Sequence, residues 1–360
     1  MANIRAKVVE LSSKQPIVSS EFYRNLTRTD IADVLSKPVP TLDFAVPGLI
    51  AGSVGAVIGT GGVGKSIWML QVAASIAAGV DIAGIRRFDV DGNFSLNPAG
   101  EKVVILSAED PEEIVATRLH ALKQLILRTC PGEAGQKALG RLAENFFIIS
   151  LLGKRPDLND ESQTKSLKIF VADARLVIID TLRRFHTCSE NDDAAMSNLV
   201  AVLESIARQD EDTKPAVIYL HHTNKAAGRE GGSMLEASAS RGSGVLIDNP
   251  RCQYNFAAMT RIDAKNEEVR RKIGVANLSD EDLKRYVQIA RSKCNYASLV
   301  SGIWFERGDG GVLVPALSES ERDHEVDTYE QERAITAEPG RPAMPAGQTL
   351  TKRRGNHVRH

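Results

Sequence analysis

The chain has 360 residues, 42% of them apolar, and 45 Lys and Arg against 46 Asp and Glu leave a formal net charge of −1. That length closes one large domain or two small ones around a proper core. A charged fraction of 25% with so even a balance excludes capture of an anionic partner by overall charge, so local basic patches would have to hold one.

The N-terminus, MANIRAKVVELSSK, lacks the apolar stretch of a signal peptide. Residues 1–37 are mixed and Ser-punctuated, with a helix expected near Glu21 to Ser36, and read as an N-terminal arm closed by Pro38 and Pro40. The uncharged window Phe44 to Gly64 is the nearest approach to a membrane span, but its seven glycines make it a loop system. Cys130, Cys188, Cys252 and Cys294 have no CxxC or zinc spacing. Together these features predict a cytoplasmic protein with reduced thiols, no structural metal and no membrane partner.

From residue 38 to 317 short apolar runs alternate with helical periodicity, the pattern of a mainly parallel twisted α/β sheet flanked by helices. The expected core strands are 53–59, 102–108, 145–150, 175–180 and 215–222, each apolar on both faces as buried parallel strands are. Helices are expected at Ser66 to Ala78, Pro111 to Leu127 and Asp193 to Gln209. Arg86 to Gly100 is a long connection. The stretch from Tyr254 to Arg285 reads as charged helix or loop, and 287–294 and 302–306 as late antiparallel strands. Residues 318–360 carry eight acids between Glu319 and Glu338 and then a basic end, KRRGNHVRH, composing a disordered charged tail.

Gly59-Thr60-Gly61-Gly62-Val63-Gly64-Lys65-Ser66 fits GxxxxGK[ST], with an apolar strand before it and an amphipathic helix after it. Glycines let backbone N–H groups wrap phosphates without Cβ obstruction, and the following helix adds its positive dipole end. Lys65 would reach the β- and γ-phosphates of ATP, and the Ser66 hydroxyl would ligate Mg²⁺.

Asp180, closing the apolar run LVIID, suits a carboxylate that holds a magnesium-bound water beside Ser66, although strand-end Asp residues also serve as caps. The next residue is Thr181 and not the Glu that follows in many P-loop ATPases, so the general base must come from elsewhere. Glu109 emerges where KVVILSA reaches the carboxyl edge of the sheet, where ligands bind in open α/β folds; a helix-start role before Pro111 would suit Asp110 better. His221-His222 at a strand tip suits a γ-phosphate sensor and a surface turn equally.

Beyond these motifs, AEDP at 108–111, RLHAL at 118–122, IIDTLRRFH at 178–186, LHHTNK at 220–225, ASRGSGVLIDNPR at 239–251 and GDGGVL at 308–313 run in order along the chain. In these the chain resembles the RecA-like hexameric helicases, most closely the RepA-type replicative helicases of broad-host-range plasmids, over about Pro40 to Leu317. The resemblance implies a RecA-like P-loop core in which Lys65 and Ser66 bind nucleotide, Asp180 is the second carboxylate and Glu109 the catalytic glutamate. It implies that His222 is the sensor histidine and Arg241 an arginine finger reaching a neighbouring subunit's nucleotide. Lys293 similarly resembles a second intersubunit cation. The 86–100 insertion and the acidic tail have no counterpart in the family.

Single-stranded DNA would pass through a central channel, touched by the loops 183–196 and 224–240 through Arg183, Arg184, Lys225 and Arg229. Nearby acids leave only a modest positive balance, consistent with weak, salt-sensitive backbone contacts. The expectation is a ring-shaped homohexameric ATP-dependent helicase acting on forked duplex in plasmid replication, with the plasmid primase and initiator as candidate partners. The competing expectation is a RecA-like regulatory or recombination ATPase that binds DNA or protein without unwinding duplex.

Overall fold

The computed structural model describes residues 28–209, 214–222, 235 and 244–318. The chain divides into two units, Met1–Leu42 and Asp43–His360. In the first, helix α1 (Ile31–Ser36) lies within the stretch expected to be helical, and the Asp30 carboxylate caps its start by accepting from the Ala32 and Asp33 N–H groups. The expected stretch before Arg28 lies outside the described residues, as does the tail from residue 319.

The second unit opens with a small hairpin, β1 (Phe44–Val46) and β2 (Leu49–Ile50), turning at Pro47-Gly48, inside the window expected to be loop. There follow β3 (Val54–Gly59), α2 (Lys65–Ala78), β4 (Val103–Ser107), α3 (Glu112–Thr129), α4 (Glu133–Asn145), β5 (Phe146–Ser150), α5 (Glu161–Val171), β6 (Leu176–Asp180), α6 (Asp193–Ala207) and β7 (Ala216–His222). The C-terminal part holds α7 (Val245–Asp248), β8 (Cys252–Ala258), α8 (Arg261–Lys265), α9 (Glu267–Lys272), β9 (Tyr286–Cys294), β10 (Val300–Arg307) and β11 (Leu313–Pro315).

Among the described residues nine strands form one sheet in the order β11-β10-β9-β8-β3-β7-β6-β4-β5. The run from β8 to β5 is parallel, and β9, β10 and β11 continue it antiparallel, so the α/β class and the late antiparallel strands are both as expected.

Three expectations need correction. The segment Cys252–Ala258, read as charged helix or loop from Tyr254 on, is a strand hydrogen-bonded to β3, its polar Gln253 and Asn255 buried and bonded to each other at 2.7 Å. β5 is not buried on both faces: it is the outermost strand on its side, partly exposed along its length, with Lys102 Nζ 5.4 Å from the ring centres of both Phe147 and Phe170. Helices α4 and α5 had no expected counterpart, and each buries only two residues.

The two sheet faces carry separate cores. α2 is buried nearly all round, so its sequence KSIWMLQVAASIAA is apolar with little amphipathic bias. Its one internal polar group of any length, Gln71, is satisfied: the amide donates to the Ile82 and Leu313 carbonyls at 2.9 and 2.8 Å and accepts from Leu313 N–H at 2.7 Å. Beside it Trp68 packs against Phe88, Tyr254 and Phe256 with ring centres 5.8, 5.4 and 5.5 Å away. On the other face α6 covers β3, β6 and β7 with Met196, Leu199, Leu203 and Ile206.

The 86–100 insertion is anchored to the late strands. Phe88 is buried in the aromatic cluster, and the Asp91 carboxylate accepts from Ser298 N–H at 2.8 Å and Oγ at 2.7 Å, with the buried Arg291 guanidinium 3.9 Å away. No helix among the described residues is long and apolar enough to cross a membrane.

Candidate active site

β3 delivers the phosphate loop at the centre of the sheet. Gly59 lies so close to β8 that a Cβ there would sit 2.8 Å from Phe256 Cβ. Gly64, with φ of 110°, turns the chain into α2, a conformation that side-chain-bearing residues resist. Gly61 and Gly62 at the tip are exposed, and a Cβ on Gly62 would meet nothing within 4 Å.

Lys65 folds back under this loop. Its ammonium donates to the Gly59 and Thr60 carbonyls at 2.7 and 3.0 Å and lies 3.1 Å from His222 Nδ1. Burial holds it down at about 8, against the attraction of Asp180 and Glu109. His222 is depressed as well, by its own partial burial and by Lys65. The structure thus brings the strand-tip histidine to the phosphate loop, while His221 points into the buried side.

The Ser66 hydroxyl donates to Asp180 Oδ1 at 3.1 Å. Asp180 is buried at the end of β6, and that burial pushes it up to about 6, the Ser66 hydrogen bond opposing the shift. Two hard oxygen donors so placed, one of them a buried carboxylate, fit a magnesium ion.

β4 and β6 run side by side with Ser107 opposite Asp180, so Glu109 rises next to the Asp180 carboxylate. Its Oε1 accepts from the Thr181 hydroxyl at 3.0 Å and lies 3.5 Å from Arg184 Nε. The neighbouring Asp110 is engaged by Arg118 on α3 and does not cap that helix, whose N-cap is Pro111. Sequence reasoning gave no role to Thr181 or Arg118; their signal was a hydroxyl directly after a strand-end Asp and an Arg eight residues beyond a strand-end carboxylate.

Arg183 turns away from Glu109, donating to the His186 carbonyl at 3.3 Å and lying 3.8 Å from Glu190. Lys293, on β9, donates to the Ile247 carbonyl at 2.9 Å and to that of Asp248, closing the carboxyl end of α7 within its own chain. Arg241, Lys225 and Arg229 lie outside the described residues. A further contact had no sequence signal: Arg307, on β10, donates to the Val63 carbonyl at 2.5 Å and the Gly62 carbonyl at 3.2 Å.

A glycine loop between a buried strand and a helix, with lysine, hydroxyl, strand-end aspartate and adjacent glutamate converging on it, defines a nucleotide-binding P-loop ATPase domain. The sequence profile of the AAA domain matches residues 21–228, more than half of the chain. The chain belongs to that family. Among solved structures it is similar to the ATPase domain of G40P, at 18% identity and a TM-score of 0.46 over 79% of this chain and 95% of that one. It is also similar to a DnaB-like replicative helicase described with its interactions with primase, at 16% identity and a TM-score of 0.49, over 86% of this chain and 71% of that one.

Proposed function

We propose that the chain is an ATP-dependent replicative DNA helicase working as a ring-shaped homohexamer on single-stranded DNA in plasmid replication. One observation carries the reading: Glu109, the candidate general base, is tied through Thr181 and Arg184 to the loop after β6, which is the loop expected to meet DNA. A phosphate backbone that engages Arg184 alters the surroundings of Glu109 in the same act. Because Arg184 and Glu109 are both well exposed, their pairing is worth no more than about 1 kcal/mol, and a DNA phosphate competes with it readily.

Ser66 and Asp180 would hold magnesium, which neutralises charge on the β- and γ-phosphates. Lys65 leaves the Gly59 and Thr60 carbonyls for the phosphate chain, and Glu109 orients the attacking water and takes its proton. His222, beside Lys65, registers whether the γ-phosphate is present. Arg241 serves the neighbouring subunit's nucleotide, neutralising transition-state charge in trans and making turnover depend on the ring. The plasmid primase and initiator are candidate partners on the same resemblance.

The test is ATP hydrolysis by the full-length chain with and without single-stranded DNA, with Lys65→Ala and Arg241→Ala, followed by unwinding of a forked duplex. Stimulation by DNA is expected, both variants are expected to be inactive alone, and mixing them is expected to restore part of the activity. Turnover indifferent to DNA, or normal in Arg241→Ala, would sink the ring-helicase reading. DNA-stimulated turnover without unwinding would favour a regulatory or recombination ATPase.

A further inference from the structure

The phosphate loop is held from behind by a side chain that joins it from the far end of the chain. Arg307 donates through one terminal nitrogen to the carbonyls of Gly62 and Val63, and through Nε to the Lys284 carbonyl at 3.1 Å. Its other terminal nitrogen lies where a Cβ on Gly64 would be 3.1 Å away, so the guanidinium packs close against the loop. Next door on the same strand Glu306 pairs with Arg285 and does not touch the loop.

A planar trans peptide places the N–H of one residue opposite the C=O of the residue before it. With the Gly62 and Val63 carbonyls turned toward Arg307, the Val63 and Gly64 N–H groups point to the other side. Val63 N–H there reaches only the Thr60 carbonyl, at 3.4 Å, a bond long enough for an anion to displace.

We propose that Arg307 is a positioning residue of the nucleotide site: a fixed cation behind the phosphate loop that holds two carbonyls outward so that the Val63 and Gly64 N–H groups meet the phosphate chain. This rests on the reading of the loop as the nucleotide site. The guanidinium keeps its charge despite partial burial, and the two N–H bonds of one terminal nitrogen serve the two adjacent carbonyls while Nε holds Lys284. A peptide hydrogen-bonded at its oxygen is a stronger donor at its N–H. Both effects act on phosphate and neither on the adenine or ribose. The Nε bond to Lys284 also ties the loop to the residue 259–285 connection between β8 and β9.

The experiment compares full-length wild type, Arg307→Met and Arg307→Lys by calorimetric titration with ADP and with pyrophosphate, and by kcat and KM for ATP. Arg307→Met is expected to weaken ADP and pyrophosphate about tenfold and raise KM in step, with kcat at saturating ATP within about threefold of wild type. Arg307→Lys, which keeps the charge but loses the planar guanidinium and its Nε bond, is expected to recover part of that loss. Glu306→Gln, which removes the neighbouring pair, is expected to leave ADP binding unchanged. ADP and pyrophosphate affinities within twofold of wild type in Arg307→Met, or a fall in kcat at unchanged KM, would overturn the assignment. Should Arg307→Met not fold, Arg307→Lys decides: about threefold weaker ADP supports the role, and unchanged ADP overturns it. A wild-type chain that binds neither probe overturns the nucleotide site itself and this inference with it.

Discussion

Glu109→Gln is expected to lower ATP turnover by about 10²- to 10⁴-fold, the range for losing a positioned general base, while ATP binding stays within a few-fold of wild type. The amide is isosteric and its oxygen still accepts from Thr181, whose hydroxyl contacts Oε1 at 3.0 Å. What is lost is the proton acceptor and the exposed contact with Arg184, and the latter contributes little. The neighbouring ion pair of Asp110 with Arg118 is untouched, so the strand end stays where it is. The measurement is kcat for ATP beside the dissociation constant of a non-hydrolysable ATP analogue. Turnover within fivefold of wild type would show that the water is activated from another position.

Trp68→Ala is expected to be the most destabilising single truncation beside the site, at about 3–5 kcal/mol. Trp68 is 2% exposed, lies among three aromatic rings and donates its indole N–H to the Ala83 carbonyl at 3.1 Å. The substitution would open a cavity between α2 and β8, whose Phe256 also fills the space that Gly59 leaves by having no Cβ. Nucleotide affinity should therefore fall along with stability. Denaturant titration of the variant checks it, with Trp68→Phe as the milder companion, and a loss below about 1 kcal/mol would show that the cluster closes over the gap.

The parts of the fold that could be read from sequence are those whose burial leaves no choice of residue. β3, β4, β6 and β7 are covered on both faces, so their sequences are unbroken apolar runs. β8 escaped because Gln253 and Asn255 are buried and hydrogen-bonded to each other inside the protein, and two polar residues at alternate positions break such a run. Helices α4 and α5 were missed although both are amphipathic: Ala138, Leu139 and Leu142 of α4 and Leu167 and Val171 of α5 face the core, within short, largely polar sequences. The phosphate loop and Asp180 were legible because their chemistry fixes residue type at short spacing. Arg307 was not, because a contact made across 244 positions of chain leaves no local pattern. Within the helix expected near Glu21 to Ser36, the described turn begins at Ile31 because the Asp30 side chain caps its first N–H groups, a local bond that periodicity does not reveal.

The outer position of β5 bears on the behaviour of the protein in concentrated solution. No strand among the described residues pairs with its far side, so its backbone there offers a template on which a strand from another molecule could stack. Lys102, pinned over Phe147 and Phe170 and paired with Asp173, puts a charge beside that border. A cation at the margin of a sheet is a common guard against stray polymerisation. Lys102 thus marks the β5 border of the sheet, far from the phosphate loop, as the side of the molecule where a charge opposes strand addition.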